Sequence, residues 1–405
     1  MFFTILIFII ILSLLVFVHE LGHFVVAKKS GMKVHEFGFG FPPRVVGIQK
    51  IAGKWRVVWG QKSESKDADS SGSDNATAVE KTIVETMESK ADEPTIYSIN
   101  AIPLGGFVRI MGEDNDEAKD SRSFTQKGFI PRFLTLAAGV IMNVLAAWVM
   151  ISIGFMVGLP VVVDDVSDLP SGSTFSQPKV FIAEVLPDSP AQKAGIEYGD
   201  LLLKIDDQAV SNSQEVQNYI YSHQDEQELR FVVKRINQEL ELSLSLDHER
   251  TIEQGVTGIA MATHGSLQFG PIAALGRGAI TVYNQLGAIL GGLVDVFSSG
   301  DGLKSLGGPV KIAQLTGQVA DLGIIPLLQF AAFLSLNLAI LNTLPFPALD
   351  GGRMLFLIIE KLRGKPNNQK IEQYANAIGF LTLLLLMAVI TLRDISQIES
   401  IKNLF

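Results

Sequence analysis

The sequence of 405 residues contains no cysteine. Disulfide scaffolds, thiolate metal sites, iron–sulfur clusters and cysteine nucleophiles are therefore excluded, and any transition-metal site must use imidazole and carboxylate ligands. Charge is scarce as well: Asp, Glu, Lys and Arg make up 19%, against about a quarter in soluble domains. Nor is there a surplus of basic residues, since 33 Lys plus Arg stand against 42 Asp plus Glu, a net charge of −9. A nucleic-acid partner would need such a surplus to neutralise phosphates, so none is expected. Histidine is rare too: six occur, and two of them share one pentapeptide.

Apolar residues are abundant, at 47%, and they gather into long runs. Phe2 to Val18 is nearly unbroken hydrocarbon, with no basic stretch before it and no small-residue cleavage site after it. Residues 1–27 are thus expected to be a retained first transmembrane helix rather than a cleaved leader. Residues 133–160, 324–352 and 374–392 are expected to be three more spans. Residues 272–297 contain Arg277, Asn284, Gln285 and several glycines, with apolar residues on one side, which reads as an interfacial amphipathic helix. The expected fold class is a polytopic α-helical membrane protein with four spanning helices.

Orientation follows from basic residues between spans. Residues 28–132 carry 16 Lys plus Arg and residues 350–373 carry 5, whereas residues 161–323 carry 10, against 21 Asp plus Glu. The first two regions are expected in the cytoplasm and the third outside. Within 28–132, short strands are expected at 44–48, 55–59, 95–99 and 107–111, punctuated by Gly53, Gly60, Pro103, Gly105 and Gly106. Residues 61–94, rich in Ser, Asp, Glu and Lys, read as a disordered insertion. Residues 179–262 read as a compact extracytoplasmic α/β module.

His19-Glu20-Leu21-Gly22-His23 is an H-E-x-x-H motif inside the first apolar run. A separation of four residues puts both imidazoles on one helix face, within reach of one Zn²⁺, with Glu20 beside them as candidate base. Charged side chains in a span cost roughly 2.5–3.5 kcal/mol each, and a metal offsets that cost. A catalytic zinc takes a third protein ligand. It must lie at the depth of His19, about 25 Å along the helix at 1.5 Å per residue. Asp350, closing the apolar segment in the run Asn342-Thr-Leu-Pro-Phe-Pro-Ala-Leu-Asp350-Gly-Gly, arrives there if that segment runs inward. The competing reading of Asp350 is a helix C-terminal cap.

An intramembrane H-E-L-G-H, a later N-x-x-P-x-x-x-L-D-G and an intervening module resemble the site-2 proteases, and within them the bacterial RseP-type regulated intramembrane zinc metalloproteases. The resemblance covers essentially the whole chain, including Glu36–Gly40, Pro103–Gly112 and Gly308-Pro309. It implies His19, His23 and Asp350 as Zn²⁺ ligands, Glu20 as general base and Asn342 as a substrate contact. It also implies a membrane-dipping β-loop at Pro103–Gly112, whose Gly105, Gly106 and Phe107 would meet an unwound substrate. The module looks like a single PDZ domain, through Asp188–Asp206 and the run Gly255–Ala260. Gly258 and Ile259 would lie at the carboxylate loop, where backbone N–H groups can receive a peptide C-terminus and the edge strand can pair with it. Alternatively the module only filters substrates by size. The best-studied members with this layout carry two tandem PDZ domains, whereas the spacing here fits one, and the 61–94 insertion has no clear counterpart in the family's pattern.

The implied activity is hydrolysis of transmembrane segments of single-span proteins, such as anti-sigma factors or remnant signal peptides, at a bacterial cytoplasmic membrane. The active site would lie near the cytoplasmic face. Two other readings compete. A membrane-anchored PDZ receptor or chaperone with a structural metal would keep peptide binding without Glu20, and an ion transporter would explain neither Glu20 nor the module.

Overall fold

The computed structural model describes residues 2–51, 53–60, 94–113, 120–163, 169–223, 225, 227–235, 238–246, 256–298 and 307–396. Of the insertion at 61–94, only Pro94 is among them, and Gly255 also lies outside. The helices among the described residues are α1 (Phe2–Lys29), α2 (Phe129–Val157), α3 (Pro190–Ala194), α4 (Ser213–Ser222), α5 (Pro271–Ser298), α6 (Pro309–Asp321), α7 (Ile324–Thr343), α8 (Asp350–Arg363) and α9 (Gln369–Ser396). The strands are β1 (Val34–Ile51), β2 (Lys54–Trp59), β3 (Ile96–Ile110), β4 (Leu159–Val163), β5 (Ser173–Val185), β6 (Leu201–Ile205), β7 (Gln208–Ala209), β8 (Glu228–Arg235), β9 (Gln238–Ser245) and β10 (Ile259–Phe269). Two compact units divide the chain: Met1–Met150 with Thr281–Phe405, and Ile151–Ile280. Among the described residues, α1, α2, α5, α7 and α9 are long and apolar enough to cross a bilayer, which makes this a polytopic membrane protein.

In the first unit α1, α2 and α7 pack through their apolar faces. Ile11, Leu15 and Ala331 are buried against Ile7, Leu327, Leu334 and Leu338. Thr4 lies against Gly317 of α6, and His19 lies near Asn342 at the end of α7. The chain from α6 through α7 therefore runs the same way as α1. Helix α2 runs against them, because Asn143 meets His19 while Thr135, earlier in α2, meets His23. Glycine permits this crossing: a Cβ on Gly22 would stand 2.3 Å from the Ala138 carbonyl oxygen.

The expected apolar segment 324–352 is not one helix. Helix α7 stops at Thr343, and Asp350 opens α8. Pro345 and Pro347 have no backbone N–H to donate, and each disfavours helical backbone at the residue before it. Asp350 therefore starts a helix rather than capping the end of one.

Strands β1, β2 and β3 form a sheet in the order β2-β1-β3. The separate strands expected at 95–99 and 107–111 belong to one element, β3, whose two halves both pair with β1. Phe37 faces Val108 on one side and Tyr97 on the other, and Ile48 also faces Tyr97. Both strands thus reverse on themselves, β1 at 40–43 and β3 at 101–105. The buried Glu36–Arg44 ion pair joins the two halves of β1, with Arg44 Nε donating to Glu36 Oε1 at 2.7 Å. The β3 reversal rests on the middle of α1: Ser13 Oγ donates to the Pro103 carbonyl oxygen at 2.7 Å. Gly105, at φ +86°, sits so close to Val16 that a Cβ would come within 2.5 Å of it.

The second unit holds a sheet in the order β4-β10-β5-β6-β8-β9, with β7 on β6. Residues 179–262, expected as an α/β module, do carry both strands and helices, but the sheet extends past those limits through β4, the start of β5 and the end of β10. Val180, Ile182, Leu202, Ile205, Phe231, Val233 and Leu244 form its core with Val216 and Ile220 of α4. Asn212 caps α4 by accepting from the Glu215 N–H, and Ser189 caps α3 by accepting from Gln192. Asp200 is buried and takes two hydrogen bonds of 2.8 Å from Arg235. Burial alone would raise its carboxyl pKa; the Arg235 bonds and charge, with the Glu197 N–H, hold it below the usual range.

Candidate active site

Three donor atoms from two separated stretches of chain, α1 and the start of α8, converge against α2. His19 Nε2 lies 2.9 Å from Asp350 Oδ2 and 3.2 Å from His23 Nε2, and His23 Nε2 lies 3.4 Å from Asp350 Oδ2. The helical spacing of the pentapeptide brings the imidazoles together. The break at Pro345 and Pro347 turns the chain so that Asp350 joins them. Both histidines are buried. Glu20 belongs to the same cluster, with ligand atoms of His19, Glu20 and His23 all within 4.8 Å of one another.

This donor set suits Zn²⁺. Bonds of about 2.0–2.1 Å in tetrahedral geometry require donors about 3.3–3.4 Å apart. The three observed separations, 2.9, 3.2 and 3.4 Å, fall close to that, and each imidazole turns its Nε2 inward. His23 is fixed in this sense because its Nδ1 faces the Thr135 carbonyl oxygen at 2.7 Å. A carbonyl oxygen only accepts, so Nδ1 carries the proton and Nε2 is free.

The other expected residues divide between the two units. The Asn342 amide nitrogen lies 3.4 Å from His19 Nε2, at the edge of the cluster. Gly105, Gly106 and Phe107 lie on β3, and Gly106 approaches Phe17, two residues before His19. Gly258 and Ile259 belong to the second unit, at the start of β10. The Gly258 carbonyl oxygen accepts from Leu186, and Ile259 pairs with Val185.

Sequence reasoning missed the contribution of α2. Thr135, Gly139 and Asn143 are spaced by four residues and line the face of α2 against the histidines. Asn143 is the only amide or charged side chain between Phe133 and Leu159, and a polar residue in a span is the signal that could have found it. Gly139 is the point of closest approach: a Cβ there would lie 2.5 Å from His23 Nε2 and 2.6 Å from His19 Nε2. Gly139→Ala should therefore displace both rings and weaken metal binding by roughly 10–100-fold. Zinc titration of the purified variant checks this, and unchanged affinity would contradict the packing described.

A bundle of apolar helices with two imidazoles, one carboxylate and a neighbouring glutamate defines a class, the membrane-embedded zinc metalloproteases of site-2 protease type. The comparisons narrow this further. The model of peptidase family M50 matches residues 7–60 and 76–386, and the chain belongs to that family. The chain is 30% identical to the regulator of sigma-W protease RasP of Bacillus subtilis, covering 98% of this chain and 99% of the relative. It is 31% identical to the zinc metalloprotease RasP of Geobacillus kaustophilus, covering 96% and 97%. Among solved structures, the PDZ domain of the SdrC-like protein of Listeria monocytogenes matches at 26% identity and a TM-score of 0.18, covering 20% of this chain and 85% of that one. The protein is thus a zinc-dependent intramembrane protease, a multi-pass protein of the bacterial inner membrane.

Proposed function

We propose that His19, His23 and Asp350 hold the Zn²⁺ and that Glu20 is the general base in cleavage of a substrate's transmembrane segment. The convergence of the three donors, with separations of 2.9–3.4 Å, carries this reading. When bound, Zn²⁺ supplies Lewis acidity that polarises a carbonyl and acidifies water. The Glu20 carboxylate takes the proton of the attacking water and delivers it to the leaving amine. Stripping the metal with a chelator should remove cleavage of a single-span reporter in vesicles, and added Zn²⁺ should restore it. Cleavage that persists in the metal-free protein would overturn the reading.

A helical substrate hides its carbonyls in i→i−4 hydrogen bonds, so it must unwind before it can be cut. Asn342 and the β3 reversal at Gly105, Gly106 and Phe107 are the groups proposed to hold the freed backbone. Support comes from the 3.4 Å approach of Asn342 to His19 and from the rest of that reversal on Ser13 and Val16, inside the apolar run of α1. This is the membrane-dipping loop.

Four spans are proposed: α1, α2, α7 and α9, with α5 lying in the interface. Support comes from chain direction. Helices α1 and α7 run the same way and α2 runs against them, so one complete crossing by α5 between α2 and α7 would carry Asp350 to the wrong face. The 16 Lys plus Arg in residues 28–132 support a cytoplasmic side for the end of α1 nearest His19, and residues 161–323, with 10 against 21 Asp plus Glu, are proposed to lie outside.

The second unit is proposed to act as a PDZ domain on the extracytoplasmic part of the substrate. Among the described residues, 259–262 pair on one edge only, with β5, while β4 covers 263–267. That free edge beside Gly258 favours capture of a peptide C-terminus over filtering by size. Single-span proteins such as anti-sigma factors and remnant signal peptides are the proposed substrates. The Bacillus subtilis relative's name, a regulator of sigma-W protease, supports the first of these.

A further inference from the structure

Neither the chemistry of hydrolysis nor the metal ligands account for Asn143. Its side chain is fully buried in an apolar span, where an amide is costly unless it is hydrogen-bonded. Its Nδ2 lies 3.2 Å from His19 Nδ1, while its Oδ1 has no hydrogen-bond partner. Its main chain is held separately, because Ser335 Oγ donates to the Asn143 carbonyl oxygen at 2.8 Å.

An imidazole that gives Nε2 to a metal carries its proton on Nδ1. For His19 that N–H would then point at the Asn143 NH₂, two donors face to face. Turning the amide end over end removes the conflict and puts Oδ1 where Nδ2 stands, ready to accept the His19 Nδ1–H. The oxygen and nitrogen ends of an amide are told apart by their hydrogen-bond partners, and here the partner selects the oxygen. The turn costs no hydrogen bond, since the opposite end of the amide has no partner to lose.

Resting on the assignment of His19 as a ligand, we propose that Asn143 is a positioning residue that fixes the His19 ring and its tautomer through an Oδ1 acceptor. Helix α2 then serves both histidines alike. The Thr135 carbonyl oxygen accepts from His23 Nδ1, the Asn143 side chain accepts from His19 Nδ1, and Gly139 between them makes room for both rings. Outer acceptors of this kind raise the basicity of the ligand and restrict its rotation.

The test is the zinc affinity of full-length protein, measured by chelator competition in a Glu20→Gln background so that no cleavage intervenes. Asn143→Leu should weaken binding by roughly 10–100-fold, whereas Asn143→Asp, which keeps an acceptor and loses the donor, should bind within about threefold of the parent. The Co²⁺-loaded Leu variant should show a shifted visible spectrum and the Asp variant a parent-like one. Thermal melting of the metal-free proteins separates ligand positioning from folding, and Asn143→Ala serves if the Leu variant does not fold. Parent-like affinity in Asn143→Leu, or an Asp variant as weak as the Leu variant, would overturn the proposal. Zinc retained by His19→Ala would instead overturn the ligand assignment beneath it, so the two failures are distinguishable.

Discussion

Glu20→Gln should leave zinc in place and remove hydrolysis. Glutamine matches glutamate in size, and the donors that converge are those of His19, His23 and Asp350, so metal content should stay at the parent level. What is lost is a group able to accept a proton. General-base catalysis contributes typically about 10²–10⁴-fold, and cleavage of a single-span reporter should fall by at least that range. Zinc stoichiometry and reporter cleavage measured on the same preparation check both halves. Cleavage within about tenfold of the parent would be too small a loss for a general base and would remove Glu20 from that role.

Asp350→Ala should lose zinc and activity together. The carboxylate is one of three protein donors, and its removal should weaken binding by more than the roughly 10–100-fold that outer-sphere residues cost. Its contribution to the start of α8 is small, since an acidic residue in the first turn is worth about 0.3–1 kcal/mol through the helix dipole. Zinc affinity and thermal stability of the metal-free protein should therefore separate. Affinity should collapse while the melting temperature changes little. A variant that melts earlier but keeps its zinc would reduce Asp350 to a helix-start residue and move the third ligand elsewhere.

The chemistry of this protein is legible where it is local in the chain. His19, Glu20 and His23 sit within five residues, so a helical reading brings them together before any tertiary contact is known. Asp350 could be matched to them only by depth in the membrane; the structure brings its carboxylate to 2.9 Å from His19, although the helix carrying it was misread. Pro345 and Pro347 held the signal for the break, obscured by the apolar residues around them. The α2 residues were harder to see. Thr135, Gly139 and Asn143 matter through contacts with residues more than a hundred positions earlier, and apart from the lone amide of Asn143 nothing in α2's own pattern announces a partner. The strand bounds in the first sheet were misread for a different reason. Pro103, Gly105 and Gly106 read as strand ends, whereas β3 uses them to reverse on itself against α1. In the second unit the signals act over a few residues, through apolar alternation and side-chain caps such as Ser189 and Asn212, which is why an α/β module could be expected there.

The central claim is that one Zn²⁺ is held by His19, His23 and Asp350 in the membrane-embedded unit. Anomalous X-ray diffraction at the zinc edge, on crystals of the full-length Glu20→Gln protein, tests it most directly. The account requires one anomalous peak, about 2.0–2.2 Å from His19 Nε2, His23 Nε2 and an Asp350 carboxylate oxygen. A zinc peak bound by other residues, or one that leaves Asp350 uncoordinated, would contradict it.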